Sequence, residues 1–499
     1  MPEPTALPAA IPDEPAEIGR TGELLARLAP ALDAYQVAHD APSFRAYVPG
    51  SIPSEAHGLP EQGIAPEAVV DELALVVEQG SRISAPGWLS FITTGASTVP
   101  AVAATAVAVA GGQRYLLQAF NALEYTGLRW LADLCGLPAD ATGVFSSGGS
   151  TAQLVGLGTA RQAIYERLGV DVAQQGAPAA PQGRIYASVA AHRTVHRSAA
   201  VLGLGRDAVA EIPVDRDGRI RVDELESALA RDTADGILPI AVVAIAGVTD
   251  TGSVDRIDRV VEVGRRFGCW VHVDGAYGLI ANASPARRAL FAGVEEADSW
   301  IVDPHKWLAT GVGVGATYVR DGDVLTRAFA EGDAAYLEGA FGDEDAEPAS
   351  QFETMGGAWA DQGVELSAPP RGVLVWAALR ELGRSGVAAR VERHIAFARE
   401  VADRALAHPR LELLLDPQLS ITCFRYRPTG GAGDPAAIDA LNRQILARLR
   451  ASTPLVPSST LVDGALAIRP CFINPRTTGA EVDALVDAVI RIGDELAGA

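Results

Sequence analysis

The sequence has almost no lysine. Of 41 Lys and Arg residues, one is a lysine, Lys306, which leaves 41 − 1 = 40 arginines. Methionine is nearly as scarce, with 2 residues, and cysteine stands at 4. So general a skew reflects base composition, but it isolates each survivor. Cys135, Cys269, Cys423 and Cys471 lie far apart with no C-x-x-C spacing. That argues against a thiolate metal site or a disulfide scaffold and predicts reduced, buried thiols in a cytoplasmic protein. The first twenty residues contain no basic start followed by an apolar run, so no signal peptide is expected. The longest apolar stretches, 99–112 and 236–248, fall short of the roughly 20 residues a membrane span needs. Positive charge is in deficit: 41 basic against 62 acidic residues give a formal net charge of −21. Such a surface repels nucleic-acid phosphates and anionic lipid, and neither is expected as a partner.

Core-forming material is plentiful. Hydrophobic residues make up 48%, which excludes wholesale disorder, and the length allows two or three domains. Residues 1–20 read as a loose Pro-, Ala- and Glu-rich arm. Apolar residues recur at helical spacing over 22–38 and 66–78. An Ala/Val-rich helix follows residue 98, and 121–137 is amphipathic. From residue 142 β-rich apolar runs alternate with helical ones. Strands are predicted at 142–147, 183–188, 241–247, 269–274, 299–303 and 315–321. Helices are predicted at 151–168, 194–202, 222–230 and 254–267. Near-continuous apolar strands separated by helices indicate a mostly parallel sheet covered on both faces. Residues 330–362 are acidic and weakly periodic, and a loop of that length inside a compact domain is often functional. A long helical pattern then runs from 371 to 407, and the remainder alternates strand and helix as a smaller α/β domain.

The solitary lysine stands in VDPHKWL (302–308), just past a predicted strand. Arginine replaces lysine as a charge but not as an amine nucleophile, because guanidinium stays protonated. A lysine that survives among arginines is therefore a candidate for covalent chemistry, although chance survival gives the same pattern. Open α/β sheets place their chemistry in loops at the carboxyl ends of strands. Asp274 closes the apolar run CWVHVD, 306 − 274 = 32 residues earlier. A carboxylate there is costly to bury without a cationic partner, or else it caps a helix. FSSGGSTAQLVGL (145–157) reads as strand, small-residue turn and helix. Free amides at such a turn bind phosphate, and no Walker lysine is present. His192 lies between a strand and a helix. An aldehyde for the lysine, a ring nitrogen for the aspartate, a phosphate for the turn and a flat face for an imidazole all belong to one cofactor, pyridoxal 5'-phosphate.

Taken with NALEYTGLRWL, FSSGGSTAQLVGLGTAR, YASVAAHRTVHRSA, HVDGAYG, ADSWIVDPHKWL, AAYLEG and LAIRPCFINPRTT, in that order, the chain resembles the group II pyridoxal-phosphate-dependent amino-acid decarboxylases, the family of aromatic-L-amino-acid and glutamate decarboxylases. The resemblance runs from about Pro42 to the C-terminus. It implies the α/β architecture of the PLP-dependent transferase fold type I. That architecture has a large domain with a mainly parallel seven-stranded sheet (96–372), an N-terminal segment that wraps a partner (1–95) and a small C-terminal α/β domain (373–499). A homodimer with active sites at the subunit interface is implied as well. By position, Lys306 is the Schiff-base lysine and Asp274 the partner of the ring nitrogen. His192 stacks on the ring, Ala276 touches its other face, and Thr249 lies beside it. Gly149 and Ser150, with His305, hold phosphate. The family's mobile catalytic loop matches 330–362, with its proton-donating tyrosine at Tyr336.

The resemblance further implies decarboxylation of an L-amino acid to an amine. Relatives that make aldehydes oxidatively often have phenylalanine at the loop tyrosine or asparagine at the stacking histidine. A pocket lining of Trp88, Phe91 and Ile92, with small residues at Ala110 and Gly112 from the partner, favours an aromatic substrate (tryptophan, tyrosine, phenylalanine or dihydroxyphenylalanine). A large aliphatic amino acid and oxidative aldehyde synthesis are the alternatives. Many relatives have a second alanine where this chain has Gly275. No metal is expected.

Overall fold

The computed structural model describes residues 19–37, 43–53, 59, 61–114, 118–177, 181–330, 359–428 and 434–498. The first strand, β1 (Trp88–Leu89), belongs to a small sheet. The next seven make the large one. They are β2 (Thr142–Ser146), β3 (Gly183–Ser188), β4 (Val209–Ile212), β5 (Leu238–Ile245), β6 (Trp270–Asp274), β7 (Ser299–Val302) and β8 (Gly315–Val319). Their order is β2-β8-β7-β6-β5-β3-β4. Every neighbouring pair is parallel except β8, which runs antiparallel to both β2 and β7. The α/β, mainly parallel seven-stranded architecture expected from the resemblance is what the chain forms.

Alternation along the central strands shows why both faces must be covered. Val242 and Ala244 of β5 pack in one core with Val260, Val261 and Leu225, from the helices Ile257–Arg266 and Val222–Ala234. Ala241 and Val243 point the other way, into a core with Leu157, Ile164 and Val195, from the helices Gly149–Glu166 and Thr194–Val201. Each buried aliphatic side chain contributes about 1.5–3 kcal/mol relative to exposure, so a strand apolar on both faces is stable only between two helical layers.

Six of the seven large-sheet strands fall on runs legible in the sequence. The seventh, β4, is a four-residue edge strand with Glu211 exposed. It offers too few residues for a period to show and is held by its register with β3.

The remaining strands, β9 (Leu411–Leu415), β10 (Cys423–Tyr426), β11 (Val456–Val462) and β12 (Ala465–Arg469), complete the small sheet in the order β1-β11-β12-β10-β9. Trp88 pairs with Val456 and Leu89 with Pro457, parallel. A segment read from the sequence as part of the N-terminal arm is thus an edge of the C-terminal sheet. The helices Pro435–Ser452 and Gly479–Ala497 cover that sheet. The second of them starts with a capping box between Thr478 and Glu481. The long helix Gly372–Ala407 joins the two layers and kinks at Gly383 (φ 62°, ψ 172°), a left-handed conformation that glycine adopts without strain.

Near the start, the helices Thr21–Val37 and Pro66–Gln79 pack together, with Arg27 bonded to Asp71 at 2.5 and 2.6 Å. Their apolar residues Leu25, Leu32, Val69, Leu73 and Val76 are exposed in the single chain. All four cysteines are buried and unpaired. Burial pushes the Cys269 and Cys423 thiols up to about 12. Among the described residues there is no cluster that could hold a metal ion and no helix long and apolar enough to cross a membrane.

Candidate active site

Strands β2, β3, β5, β6 and β7 all point the same way. The loops leaving their carboxyl ends meet over a cavity of about 300 Å³, as in other open α/β sheets. Gly149 and Ser150 reach it from β2, His192 from β3, Thr249 from β5, Asp274 and Ala276 from β6, and His305 and Lys306 from β7. All eight cofactor-contacting residues expected from the sequence line this one space. Tyr336 lies outside the described residues.

The turn after β2 is built for an anion. Gly148 takes φ 126° and caps the helix Gly149–Glu166. The amides of Thr151 and Ala152 both donate to the Gly148 carbonyl. The amides of Gly149 and Ser150 stand outside the helical ladder, where they and the helix dipole favour negative charge. Ser147 and Thr151 hydroxyls bond at 2.9 Å across the turn. His305 lies beside Gly148, and its Nδ1 faces the Val314 carbonyl at 2.8 Å. That contact puts the hydrogen on Nδ1 and leaves Nε2 for the cavity.

His192 is exposed on the cavity wall. Its Nδ1 accepts the Thr194 amide at 3.4 Å and meets the Thr194 hydroxyl at 2.9 Å, which fixes the ring's orientation. Asp274 is buried at the end of β6, and its Oδ1 accepts the Ala276 amide at 3.2 Å. No lysine or arginine among the described residues forms an ion pair with it. Beneath it, fully buried His272 bonds Ser299 Oγ through Nδ1 at 2.7 Å. Burial pushes that imidazole down to about 4, with the Asp274 charge opposing the shift, so His272 is neutral and does not neutralise Asp274. Gly275 has no room for a side chain: a Cβ there would come within 2.6 Å of the Leu279 Cβ. It would also come within 2.9 Å of the Ile301 carbonyl oxygen, so the backbone itself leaves no room for alanine.

Lys306 Nζ lies 3.1 Å from Asp303 Oδ2. Asp303, Ser147, Gly148, Thr194 and Tyr277 also line the cavity and were not singled out in the sequence. Asp303 was readable in principle, three residues before the lysine in the same motif. Behind the lysine, Trp307 is fully buried and stacks on Tyr277 with ring centroids 5.1 Å apart. From the small domain, buried Arg469 donates to the carbonyl oxygens of Thr249 and Asp250, which ties the loop after β5 in place.

The expected substrate pocket is not assembled within one chain. None of Trp88, Phe91, Ile92, Ala110 and Gly112 lines the cavity. Trp88 is buried in β1, Ile92 in the main core, and Phe91 is exposed at φ 55°. Ala110 and Gly112 follow the helix Thr98–Val109. The β1–β11 pairing draws the 88–92 segment toward the small sheet, which a local apolar pattern could not reveal.

The cavity fits pyridoxal 5'-phosphate by its donors. It offers a buried carboxylate with no cation for a ring nitrogen, a glycine turn at a helix N-terminus for phosphate, and one primary amine. The profile of the family described as "Pyridoxal-dependent decarboxylase conserved domain" matches residues 59–427. The aromatic-L-amino-acid decarboxylase of Bacillus atrophaeus is 29% identical over 445 residues, 88% of each chain. The L-2,4-diaminobutyrate decarboxylase of Rhizobium meliloti (strain 1021) is 30% identical over 374 residues, 75% of this chain and 70% of the relative. In fold, the crystal structure of Oryza sativa TDC with PLP and tryptamine superposes with a TM-score of 0.88 at 24% identity, covering 97% of this chain and 99% of that one.

Proposed function

The chain belongs to the pyridoxal-dependent decarboxylases, a PLP-dependent amino-acid carboxy-lyase family, and from that premise we propose that its substrate is an aromatic L-amino acid converted to the amine and carbon dioxide. The observation that carries the substrate class is the aromatic-L-amino-acid decarboxylase relative, which matches over 88% of both chains. The cavity agrees with it in charge: among the described residues its lining carries Asp274, Asp303 and Lys306 and no arginine that could pair with a substrate carboxylate. Ile245, Ile301, Tyr277 and Val312 complete the lining around the cofactor site.

In this reading Lys306 is the covalent attachment point and Asp274 faces the ring nitrogen. The Gly148–Gly149–Ser150 turn and His305 hold the phosphate. His192 and Ala276 would flank the ring, and Thr249 would lie beside it. When bound, the cofactor supplies an aldehyde that takes the substrate amine and a protonated ring that accepts the electron pair left as carbon dioxide departs. The chain's own part is positioning and electrostatics. Asp274, held by the Ala276 amide in a buried site, keeps a proton on the nitrogen it faces. A charge-assisted hydrogen bond of this kind is worth about 1.5–3 kcal/mol in ordinary contexts, and more where water is excluded. The imidazole of His192, oriented by Thr194, presents a flat face. Tyr336, on the resemblance alone, returns a proton to the substrate carbon, a general-acid contribution of roughly 10²–10⁴ in rate.

A homodimer is part of the proposal. The exposed apolar face of the two N-terminal helices is a surface a second copy would cover. Exposed Phe91 and the small residues Ala110 and Gly112 would then bear on a site across the interface.

The test is a panel of L-amino acids scored for carbon dioxide and amine, run in air with peroxide and aldehyde measured alongside. Aromatic substrates should turn over best and yield amine. Preferred release from methionine, leucine, valine or diaminobutyrate would overturn the substrate class, and aldehyde with peroxide as main products would overturn simple decarboxylation.

A further inference from the structure

Two carboxylates line the cavity and one lysine serves them. The lysine is paired with Asp303 at 3.1 Å, and Asp274 is left with an amide alone. We propose that Asp303 is a positioning residue for Lys306: its carboxylate docks the ammonium whenever that amine carries no covalent bond, and so keeps it from occupying Asp274. The proposal rests on the reading of Lys306 as the attachment point.

Local geometry sets the two side chains together. The Asp303 carbonyl accepts the Lys306 amide at 3.0 Å, and the Asp303 amide donates to the Ala276 carbonyl at 3.1 Å. This single turn fixes residues 303 and 306 on one side, next to β6. Asp303 is only 2% exposed, and its Oδ1 has no hydrogen-bond partner. Its Oδ2 lies against the helix Gly149–Glu166, so that a Cβ on Gly149 would come within 2.3 Å of it. A carboxylate this buried is costly without a cation. The helix N-terminus beside it offsets part of that cost, and the ion pair with Lys306 offsets more. The amine is the mobile partner, since the lysine stem has free rotors and the aspartate is locked by its turn.

The alternative roles are distinct. If Asp303 only fills space beneath the helix, its charge does not matter to the lysine. If it acts only on the anion turn, replacing it alters phosphate affinity and leaves the amine unaffected. Without Asp303, a lysine freed from its covalent bond would have Asp274 as its remaining carboxylate in the cavity, where a substrate-loaded ring nitrogen needs that group.

The chain's composition makes the test site-specific, because Lys306 and the N-terminal α-amine are its only primary amines. The full-length chain, freed of cofactor, is treated at neutral pH with an amine-acylating reagent, and the rate at residue 306 is read by mass spectrometry against the N-terminus. An amine held in an ion pair is not free to acylate. In the double variant Asp303→Asn/Asp274→Asn, where neither cavity carboxylate is left to hold the amine, the rate ratio should rise about tenfold over that of Asp274→Asn, the low end of what a charge-assisted hydrogen bond contributes. An unchanged ratio between those two folded chains overturns the proposal, whatever happens to phosphate affinity. Should Asn at 303 impair folding, Asp303→Ser is read the same way in the same background. The wild-type chain, native against urea-unfolded, gives a variant-free reading, and equal rates there also overturn it. Borohydride trapping with pyridoxal phosphate separates the two levels. No adduct on Lys306 in the wild type removes the functional reading. An adduct together with unchanged acylation removes this inference alone.

Discussion

Trp307 donates its indole N–H to Nδ1 of His394 at 2.9 Å, and both side chains are completely buried. The rings are near parallel, with centroids 6.4 Å apart, and Tyr277 stacks on the indole at 5.1 Å. The residue after the candidate catalytic lysine is thereby clamped between the cavity wall and the long helix Gly372–Ala407. A contact with a residue from a distant part of the chain thus adds to the local turn that holds the Lys306 backbone.

Trp307→Phe keeps most of the packing and removes the donor. His394 would then keep a buried acceptor unsatisfied, which costs about 1–3 kcal/mol. Urea unfolding should show a loss in that range, with weaker cofactor retention. A variant as stable as the parent would show that the hydrogen bond is not what holds the clamp.

His394 also predicts a pH dependence. Burial, with Arg393 and Arg390 adding to it, pushes its imidazole from 6.5 down to about 3. The folded state therefore binds this proton less readily than the unfolded chain. Its stabilising contribution is fully present above pH 6.5 and is lost as pH falls toward 3, by up to about 1.4 kcal/mol per pH unit. Buried Glu124 and Asp255 work the other way: burial raises them to about 7 and about 6, and they favour the fold as pH falls. The measurement is thus a difference. Between pH 6.5 and 4 the melting temperature of the wild type should drop faster than that of His394→Gln, and parallel curves would contradict the assignment.

Gly149→Ala places a methyl group 2.3 Å from Asp303 Oδ2, so either the turn or the aspartate must move. Affinity for pyridoxal 5'-phosphate should fall about tenfold or more, ~1.4 kcal/mol, with less effect on pyridoxal, which lacks the phosphate. Equal losses for both ligands would place the phosphate elsewhere.

Asp274→Asn preserves shape and removes the charge that faces the ring nitrogen. Turnover should fall about 10²-fold or more, by analogy with losing one preorganised electrostatic group, while melting temperature stays close to that of the wild type. Full activity in Asp274→Asn would dissociate this carboxylate from the reaction.

Tyr336→Phe tests the loop assignment. In air the variant should make less amine and more aldehyde, with peroxide as co-product. An unchanged product ratio would take the proton-donor role away from Tyr336.

The sequence by itself determined the residue chemistry and the layer pattern. One amine among forty guanidiniums, a carboxylate closing an apolar strand, and a Gly/Ser turn before a helix are local facts. So is the two-sided apolarity of β5, and local facts survive folding because backbone periodicity dictates where each side chain points. Pairing across the chain is what only the tertiary structure decided. Edge strand β4 is too short to announce itself, β1 takes its partner from the C-terminal domain, and the aromatic segment 88–92 goes with it and leaves the cavity of its own chain. The same holds for Asp303, whose importance lies in being buried against a helix terminus beside Lys306. Burial and proximity between distant segments set the energetic weight of a charge, and neither is written in the order of residues.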